Sequence, residues 1–408
     1  MATGSRFSGA GHKDARVFVV LLHFYSSRPT PAYGELARHF RDRSHTVWIG
    51  QPSIDSDFVF LDDHGVVDRI PGPSRQIGGR LRLLPFMMRL RDHVQAIHPD
   101  IVQVTPCPWS WVLACGNTGN IVFVNDIRTA GSGVGLGCKA WLIDWSAWVS
   151  WRIGSALLYD RTFFLNETGA RWLLGDKWPG RADVVPLGVS ADFLDAVVRP
   201  RVASTPDVVR FLYLGTISLA RNLEQILAAA RALRLRTTAF RVTLVGPDDD
   251  AGSRDAICGL VEQYNLQDVV EVMDPVPYER VPELLLGFDV ALNYVPATPV
   301  QRRQTFLKVL ECRAVGLPQI TTRTDPNAAV VREGENGLLV EDSADQYAAA
   351  MQQLIDDPSL LSRLKRRAEE MRTAVTWKDV ADRHLSIYAS LREVRKRRAP
   401  SSAGAAQA

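Results

Sequence analysis

A lysine and a glutamate one helical turn apart are the pair of side chains in this sequence best suited to bind a ligand. Lys308 and Glu311 lie in a predicted helix, Phe306 to Val315, with Thr305 as its predicted N-cap. Free backbone N–H groups and the lysine ammonium would then point at one anion. Glu311 would accept hydrogen bonds from the neighbouring hydroxyls of a ribose, so phosphate and ribose together indicate a nucleotide. The alternative is an exposed Lys–Glu ion pair, which contributes only about 0.2–0.5 kcal/mol.

A second cation is predicted close to Lys308. A strand ending at Leu214 is followed by a glycine turn at Gly215 and then by Arg221, just before a helix. Gly215 lets the backbone approach a diphosphate closely, and Arg221 offers two parallel N–H donors. The alternative is an ordinary strand-to-helix loop with a solvated arginine. The predicted nucleotide-binding residues are Gly215, Thr216, Arg221, Tyr294, Leu307, Lys308 and Glu311.

Length and composition predict a folded protein of two domains. The chain has 408 residues, 46% of them hydrophobic, which is enough for two cores of ordinary size. The net charge of +3 is too small to favour nucleic acid as the main partner. The five cysteines form no CxxC pattern, so they indicate neither a disulfide framework nor a zinc site, and we expect a reducing, cytoplasmic compartment. The longest apolar region, Ala140 to Tyr159, contains Asp144 and Arg152 and is not expected to span a bilayer.

The order of predicted elements indicates an α/β protein with two Rossmann-like, doubly wound domains facing each other across a cleft. Each domain opens on an apolar run typical of a buried parallel strand, residues 17–22 and 208–214. Open sheets of this kind bind ligands beyond the carboxyl ends of their strands, so the cleft should hold the ligands. The predicted boundaries are a flexible N-terminus at 1–15, a first, acceptor-side domain at 16–197, a linker at 198–206, a second, nucleotide-binding domain at 207–375, a last helix at 376–398, and a disordered tail at 399–408. Residues from Pro358 to Arg397 are predicted to be helical.

In the first domain, Asp126 is the candidate for acid–base chemistry. It follows a predicted strand, Ile121 to Asn125, and is expected to point into the cleft, where a carboxylate would deprotonate an acceptor hydroxyl or stabilise a cationic transition state. The alternative is an aspartate that caps the next turn or pairs with Arg128. His23, at the end of the first strand, is a weaker candidate for the same cleft.

A glycine-rich segment and an acidic run have the composition of a phosphate loop and of a metal site, but neither matches the corresponding motif. The glycines from Gly131 to Gly137 do not match the dinucleotide fingerprint, because position 136 is leucine, and a mobile loop is predicted instead. The acidic run Asp248 to Asp250 follows Gly246-Pro247 and is predicted to be a solvated loop. No metal site and no cofactor are therefore expected.

Five motifs of the second half follow one another in a fixed order. They are Leu214-Gly215 with Arg221-Asn222-Leu223-Glu224, Leu244-Val245-Gly246-Pro247, Asp289 to Pro296, Leu307 to Glu311 with Ala314 to Pro318, and Gly334 to Val340. In this order they resemble the motifs of retaining nucleotide-sugar glycosyltransferases of the GT-B fold, specifically glycosyltransferase family four, and the likeness is strong over about Val208 to Val340. The resemblance implies that Arg221 and Lys308 bind the donor diphosphate, that Glu311 binds the ribose, and that the helix from Trp377 to Arg395 crosses back onto the first domain.

One position departs from that family. Many members carry a second glutamate eight positions before the ribose-binding one, and here that position is Arg303. The loop after the first strand, His23 to Pro31, also lacks the family's glycines. Either the donor sugar carries an acidic group that pairs with Arg302 or Arg303, or the chain belongs to a branch without this glutamate, and we favour the branch.

The resemblance implies transfer of a hexose-like sugar from a UDP- or GDP-sugar to a hydroxyl of a glycan or lipid-linked acceptor. We expect retention at the anomeric carbon, independence of metal ions, and a role in cell-surface or exopolysaccharide synthesis. The predicted catalytic residues are Asp126, Lys308 and Arg221. The alternatives are a nucleotide-sugar epimerase, a sugar phosphorylase, or a glycan-binding scaffold without catalysis.

Arginine and tryptophan residues of the first domain suggest peripheral contact with an anionic membrane on its cytoplasmic face. The alternative is a buried helix that packs on the sheet, because the arginines do not share one helical face. The residues concerned are Arg75, Arg80, Arg82, Arg89 and Arg91 with Trp109, Trp111, Trp141, Trp145, Trp148 and Trp151.

Overall fold

The computed structural model describes residues 16–24, 31–53, 57–72, 83–107, 109–117, 121–128, 138–196, 207–248 and 252–398. The predicted flexible N-terminus, the predicted linker, the glycine-rich segment 131–137 and the predicted disordered tail lie outside these residues.

The first domain is built on a sheet of eight described strands in the order β4-β3-β2-β1-β5-β6-β7-β8. The pairs from β2 through β1 and β5 to β8 are parallel, and β3 and β4 add an antiparallel edge. The strands are β1 Phe18–Leu22, β2 Thr46–Pro52, β3 Asp57–Leu61, β4 Val66–Pro71, β5 Ile101–Val104, β6 Val122–Ile127, β7 Arg161–Phe164 and β8 Ala182–Val184. The helices are α1 Pro31–Arg41, α2 Leu83–Ala96, α3 Cys138–Ile153, α4 Glu167–Leu174 and α5 Asp192–Asp195.

The second domain is built on a sheet of six described strands, all parallel, in the order β11-β10-β9-β12-β13-β14. The predicted fold class, two doubly wound α/β domains, is confirmed. The strands are β9 Val209–Leu214, β10 Phe240–Val245, β11 Val270–Met273, β12 Val290–Asn293, β13 Gln319–Thr322 and β14 Gly337–Val340. The helices are α6 Glu224–Arg234, α7 Ser253–Gln263, α8 Val281–Leu286, α9 Leu307–Val315, α10 Asp325–Ala328, α11 Ala344–Asp356 and α12 Pro358–Glu370.

The strand order reverses once in each sheet, and these reversals are where such folds bind ligands. In the second sheet the reversal lies between β9 and β12, and in the first it lies between β1 and β5. At each reversal the connections leave in opposite directions, which opens a crevice at the carboxyl ends of the two strands. The fold therefore fixes where a ligand of the second domain should sit before any side chain is considered.

The chain crosses between the domains at two adjacent places. After β8 it reaches Phe193, which packs into the core of the second domain. It returns through the last helix, α13 Trp377–Arg398, whose Trp377 and Tyr388 are buried with Tyr33 of the first domain. The predicted helical region from Pro358 to Arg397 is thus two helices, α12 and α13, separated by residues 371–376. No described helix is long and apolar enough to cross a membrane.

Two local predictions are corrected by the structure, and one pair of strands is new. Helix α9 begins at Leu307 with Phe306, not Thr305, as its N-cap, because Phe306 is the residue with extended backbone angles. Strand β6 continues through Ile127, so Asp126 lies inside the strand and does not follow it. The antiparallel strands β3 and β4 were not predicted.

The two crossings meet at Gly188, and this contact supplies a test of the fold. A Cβ at position 188 would lie 2.7 Å from the backbone N and Cα of Trp377, atoms that cannot move without shifting α13. We expect Gly188→Ala to lower the free energy of unfolding by about 2–3 kcal/mol, measured by urea titration. Gly34→Ala is the control, since a Cβ there meets nothing within 4 Å and alanine favours the helix. Equal stability of the two variants would contradict the close crossing.

Candidate functional site

Lys308 lies at the point in the second sheet where the strand order reverses. Its Nζ donates a hydrogen bond to the carbonyl oxygen of Tyr294, the residue after β12, at 3.1 Å. The same Nζ lies 4.4 Å from the ring centre of Tyr213, a residue of β9. One ammonium group therefore bridges the carboxyl ends of the two strands that flank the crevice.

The Lys308 ammonium lacks a negative partner in the described part of the chain. No carboxylate there lies within ion-pair distance of it. Burial, together with the nearby positive charge of Arg221, lowers the pKa of Lys308 to about 7. A lysine held among a ring, a carbonyl and a second cation favours an anion at this point, because only an anion would offset both effects.

The turns after β9 and β10 approach each other so closely that position 246 admits only glycine. Gly215 has φ of +150°, and Gly246, after β10, has φ of +156°. A Cβ at Gly246 would lie 1.9 Å from the carbonyl oxygen of Gly215. The Gly215 N–H donates to the carbonyl of Val245 at 3.0 Å, so this hydrogen bond ties the turn to the end of β10. Arg221 follows this turn in a short 3₁₀ helix, Leu219–Arg221.

Glu311 is buried one turn further along α9, with 4% of its surface exposed. Its Oε1 accepts a hydrogen bond from the Tyr278 hydroxyl at 2.8 Å. Burial raises the pKa of the Glu311 carboxyl to about 7, although the Tyr278 hydrogen bond lowers it. The carboxyl is thus held on the α9 face next to Lys308, and it titrates in the same pH range as the lysine.

Tyr294 takes part in the site through its backbone. Its side chain is 3% exposed and its hydroxyl donates to Asp342 Oδ1 at 2.5 Å, while its ring packs edge-on against Tyr347. Asp342 Oδ2 also accepts from the N–H of Ala297 at 2.8 Å. These bonds fix the segment after β12 and hence the carbonyl that holds Lys308. That Tyr294 binds the nucleotide stays a prediction, and in this geometry its hydroxyl is already bonded to Asp342.

The remaining predicted binding residues support the same turn and helix. The carbonyl of Thr216 accepts a hydrogen bond from the Tyr213 hydroxyl at 3.2 Å. Leu307 is the first residue of α9 and packs against the core of the domain. Together these contacts connect the glycine turn, the ring beneath Lys308 and the start of α9.

Asp126 lies in the first domain, on the sheet face covered by α13. It is 3% exposed, and its Oδ2 accepts from Gln103 Nε2 and from Arg128 Nε, each at 2.7 Å. Gln103 in turn accepts a hydrogen bond from Tyr388 of α13. The prediction that Asp126 points into the cleft is therefore corrected. The pairing with Arg128, which the sequence left open as an alternative, is the arrangement found.

His23 is also buried at the carboxyl end of β1. Its Nε2 lies 3.2 Å from Gln51 Oε1, and burial lowers its pKa while the Gln51 hydrogen bond raises it. Its ring lies edge-on to Tyr33, whose hydroxyl accepts from Thr105 at 2.8 Å. These side chains surround the strand reversal of the first sheet. They form hydrogen bonds and a ring contact, whereas the crevice of the second sheet holds the Lys308 ammonium.

The described residues contain no group of three or more histidine, cysteine or acidic side chains arranged to hold a metal ion. Asp248, the described member of the acidic run, pairs with Arg254 at 2.9 Å. The other two members, positions 249 and 250, lie outside the described residues.

Several residues of the site were missed by reasoning from the sequence. Tyr213 and Tyr278 contact Lys308 and Glu311 from 95 and 33 positions away, and no local pattern marks either of them. Asn222, which the sequence motif around Arg221 already contains, has a positive φ of 51° that asparagine tolerates better than most residues.

The chain is similar to known glycosyltransferases in sequence and in fold. Residues 199–371 match the family model described as glycosyl transferases group 1. A D-inositol 3-phosphate glycosyltransferase from Acidothermus cellulolyticus is 29% identical over 246 residues, which are 56% of this chain and 53% of that protein. One from Nocardiopsis dassonvillei is 25% identical over 223 residues, or 51% of this chain and 50% of that protein. The chain thus spans about half the length of the curated relatives it matches.

Solved structures share the fold over almost the whole chain. A glycosyltransferase from Rickettsia africae matches with a TM-score of 0.68 at 14% identity, covering 92% of this chain and 98% of that one. HepE from Anabaena, solved in complex with UDP and glucose, matches with a TM-score of 0.62 at 12% identity, covering 92% and 100%. The chain is thus similar to the glycosyl transferases group 1 over its second domain, and it shares its two-domain fold with these solved structures.

Proposed function

We propose that this protein transfers a hexose-like sugar from a UDP- or GDP-sugar to a hydroxyl of a glycan or lipid-linked acceptor, with retention at the anomeric carbon. The observation that carries the proposal is Lys308, a partly buried cation without an ion-pair partner among the described residues, at the strand reversal of the second sheet. A donor diphosphate is the anion that this crevice fits best.

The chemistry proposed for this site is stabilisation of the leaving diphosphate. As the sugar–oxygen bond breaks, negative charge grows on the diphosphate, and Lys308 and Arg221 would stabilise it from two sides. The first backbone N–H groups of α9, which have no partner within the helix, would add to this. Glu311 would accept hydrogen bonds from the ribose and so place the nucleotide along α9.

The first domain is proposed to bind the acceptor. Its strand reversal carries His23, Thr105 and Tyr33, groups that donate and accept hydrogen bonds as sugar hydroxyls do. Asp126 stays a predicted catalytic residue, and it would have to act from a position already bonded to Gln103 and Arg128. An Asp126→Asn variant with full turnover would remove it from the mechanism.

The relatives suggest which donors to test first. HepE was solved with UDP and glucose, and also with UDP-glucose, so UDP-glucose is a reasonable first donor. The D-inositol 3-phosphate glycosyltransferases suggest a small phosphorylated polyol as one acceptor to include. A role in cell-surface or exopolysaccharide synthesis stays a prediction from the resemblance.

The rival functions separate in the same assay. An epimerase changes the donor without an acceptor, a phosphorylase needs inorganic phosphate, and a scaffold turns over nothing.

We propose that no metal is required, because Lys308 and Arg221 supply the charge that a divalent cation would supply. Turnover in EDTA should therefore equal turnover with added Mg²⁺, and loss of turnover in EDTA would contradict this part.

Peripheral contact with a membrane also stays a prediction. The first domain exposes Met88, Trp145, Ile153 and Leu157, but Arg75, Arg80 and Arg82, three of the five arginines of the electrostatic argument, lie outside the described residues. Co-sedimentation with anionic and with neutral vesicles would measure it directly.

Replacing Lys308 should weaken nucleotide binding. Lys308→Met keeps the length of the buried stem and removes the charge, so we expect the Kd for UDP or GDP to rise at least about tenfold, as for loss of one charged hydrogen bond. Isothermal titration calorimetry measures it. The control is Arg363→Met, which removes an exposed cation from the same domain. Unchanged affinity in the Lys308 variant would refute the proposed diphosphate site.

Nucleotide affinity should also fall with rising pH. Lys308 has a pKa of about 7 in the empty site, and a bound diphosphate favours its charged form and raises that pKa. Binding therefore takes up a proton above pH 7, and the Kd should rise up to about tenfold per pH unit between pH 7.5 and 9. Glu311→Gln should keep this slope, whereas Lys308→Met should lose it. The same slope in all three proteins would assign the titration to another group.

A further inference from the structure

A single amide of the first domain holds the segment of the second domain that leads into α9. Asn166 Nδ2 donates to the carbonyl oxygen of Arg303 at 2.9 Å and to Thr305 Oγ1 at 3.0 Å. Both acceptors lie in the residues just before α9, and Thr305 is three positions from Lys308. We call the Asn166 side chain with these two hydrogen bonds the Asn166 bridge.

The other end of the same amide is fixed within the first domain. Asn166 is the N-cap of α4, and its Oδ1 accepts a hydrogen bond from the N–H of Gly169 at 2.9 Å. The amide plane thus links the start of a helix in one domain to the start of a helix in the other. Because the cap fixes the amide, its N–H groups have little freedom to follow a segment that moves away.

A second contact of α4 acts on the same segment. The Arg303 guanidinium carbon lies 4.5 Å from the ring centre of Trp172, the sixth residue of α4. Trp172 itself is held by α3, since Trp148 Nε1 donates to its carbonyl at 3.2 Å. Residues 303–305 are therefore held by α4 at two points, and that helix packs on the first sheet.

The place of this contact in the chain gives it a consequence for Lys308. Residue 306 is the N-cap of α9, so residues 303–305 set the direction in which that helix begins. Lys308 lies in its first turn, so that direction sets how its Nζ, which is bonded to the Tyr294 carbonyl within the second domain, is aligned relative to the first domain. A relative movement of the two domains would break the Asn166 bridge or carry the start of α9 with it.

We propose that Asn166 is a positioning residue through which the first domain sets the start of α9 for sugar transfer. The inference rests on the proposed function of the Lys308 site. Nucleotide binds to the second domain whether or not the bridge is formed, but transfer needs the diphosphate cations aligned with an acceptor held by the first domain. Loss of the bridge should therefore lower turnover and leave nucleotide affinity in place.

Two substitutions separate this role from that of a helix cap. Asn166→Asp and Asn166→Ser both keep a good N-cap for α4 and remove the two N–H donors. Their charges differ, so an effect common to both does not come from charge. Thr305→Val removes one acceptor from the opposite side. Glu167→Gln is the matched control, because Glu167 is exposed at the start of the same helix and pairs only with Arg171 among the described residues.

We expect kcat to fall about tenfold in both Asn166 variants, as for a small misplacement of reacting groups. The Kd for nucleoside diphosphate should stay within about twofold, and the melting temperature should match that of Glu167→Gln. The double variant Asn166→Ser with Thr305→Val should be no worse than Asn166→Ser alone, since both changes break the same bridge. Hydrogen–deuterium exchange of residues 300–306 should quicken in the Asn166 variants only.

The exchange measurement separates this proposal from the proposed function. Quicker exchange with no transfer from any donor would show that the bridge exists as a contact. It would overturn both the role of the bridge in positioning α9 for transfer and the transferase assignment. Full kcat in both Asn166 variants overturns the positioning role alone. A lowered melting temperature with kcat and Kd changed in proportion also overturns it, because that pattern belongs to a purely structural residue.

Discussion

The site depends on keeping a lysine charged where water is scarce. Lys308 is held by one carbonyl oxygen and the face of one tyrosine ring, with Arg221 nearby and no described carboxylate to pair with it. These are weak substitutes for hydration, so the ammonium is barely stable as a cation near neutral pH. Two surrounding features keep it in that position: the glycine turn after β9, and the hydrogen bonds that Asp342 accepts from the segment that follows β12.

This arrangement lowers the stability of the empty protein. The pKa of Lys308 is depressed below its unfolded value, which disfavours folding increasingly as pH falls towards 7, and the pKa of Glu311 is raised, which disfavours folding increasingly as pH rises towards 7. Both effects overlap at neutral pH. A ligand that supplies an anion for the lysine would relieve the first of them, so binding and folding are coupled at this site.

Local patterns predicted the fold class and the charged residues, but not the contacts that orient them. Buried strands and the motifs around Gly215 and Lys308 are visible over short stretches of sequence. Tyr278, by contrast, meets Glu311 only because α8 and α9 pack together, and Asp126 meets Tyr388 of the last helix through Gln103. Thr305 has the residue type of a cap, yet its hydroxyl is used by Asn166 of the other domain. Such long-range partners override local preference.

The last helix has a consequence for how the protein is made. The hydrophobic core of the first domain contains Trp377, Val380 and Tyr388, side chains that leave the ribosome only after the entire second domain has been synthesised. The first domain therefore cannot complete its core in the order of translation, although amino-terminal domains usually fold first. The second domain draws its core from residues that all precede Trp377, Phe193 among them, so on the nascent polypeptide it should reach its native state before the domain that precedes it.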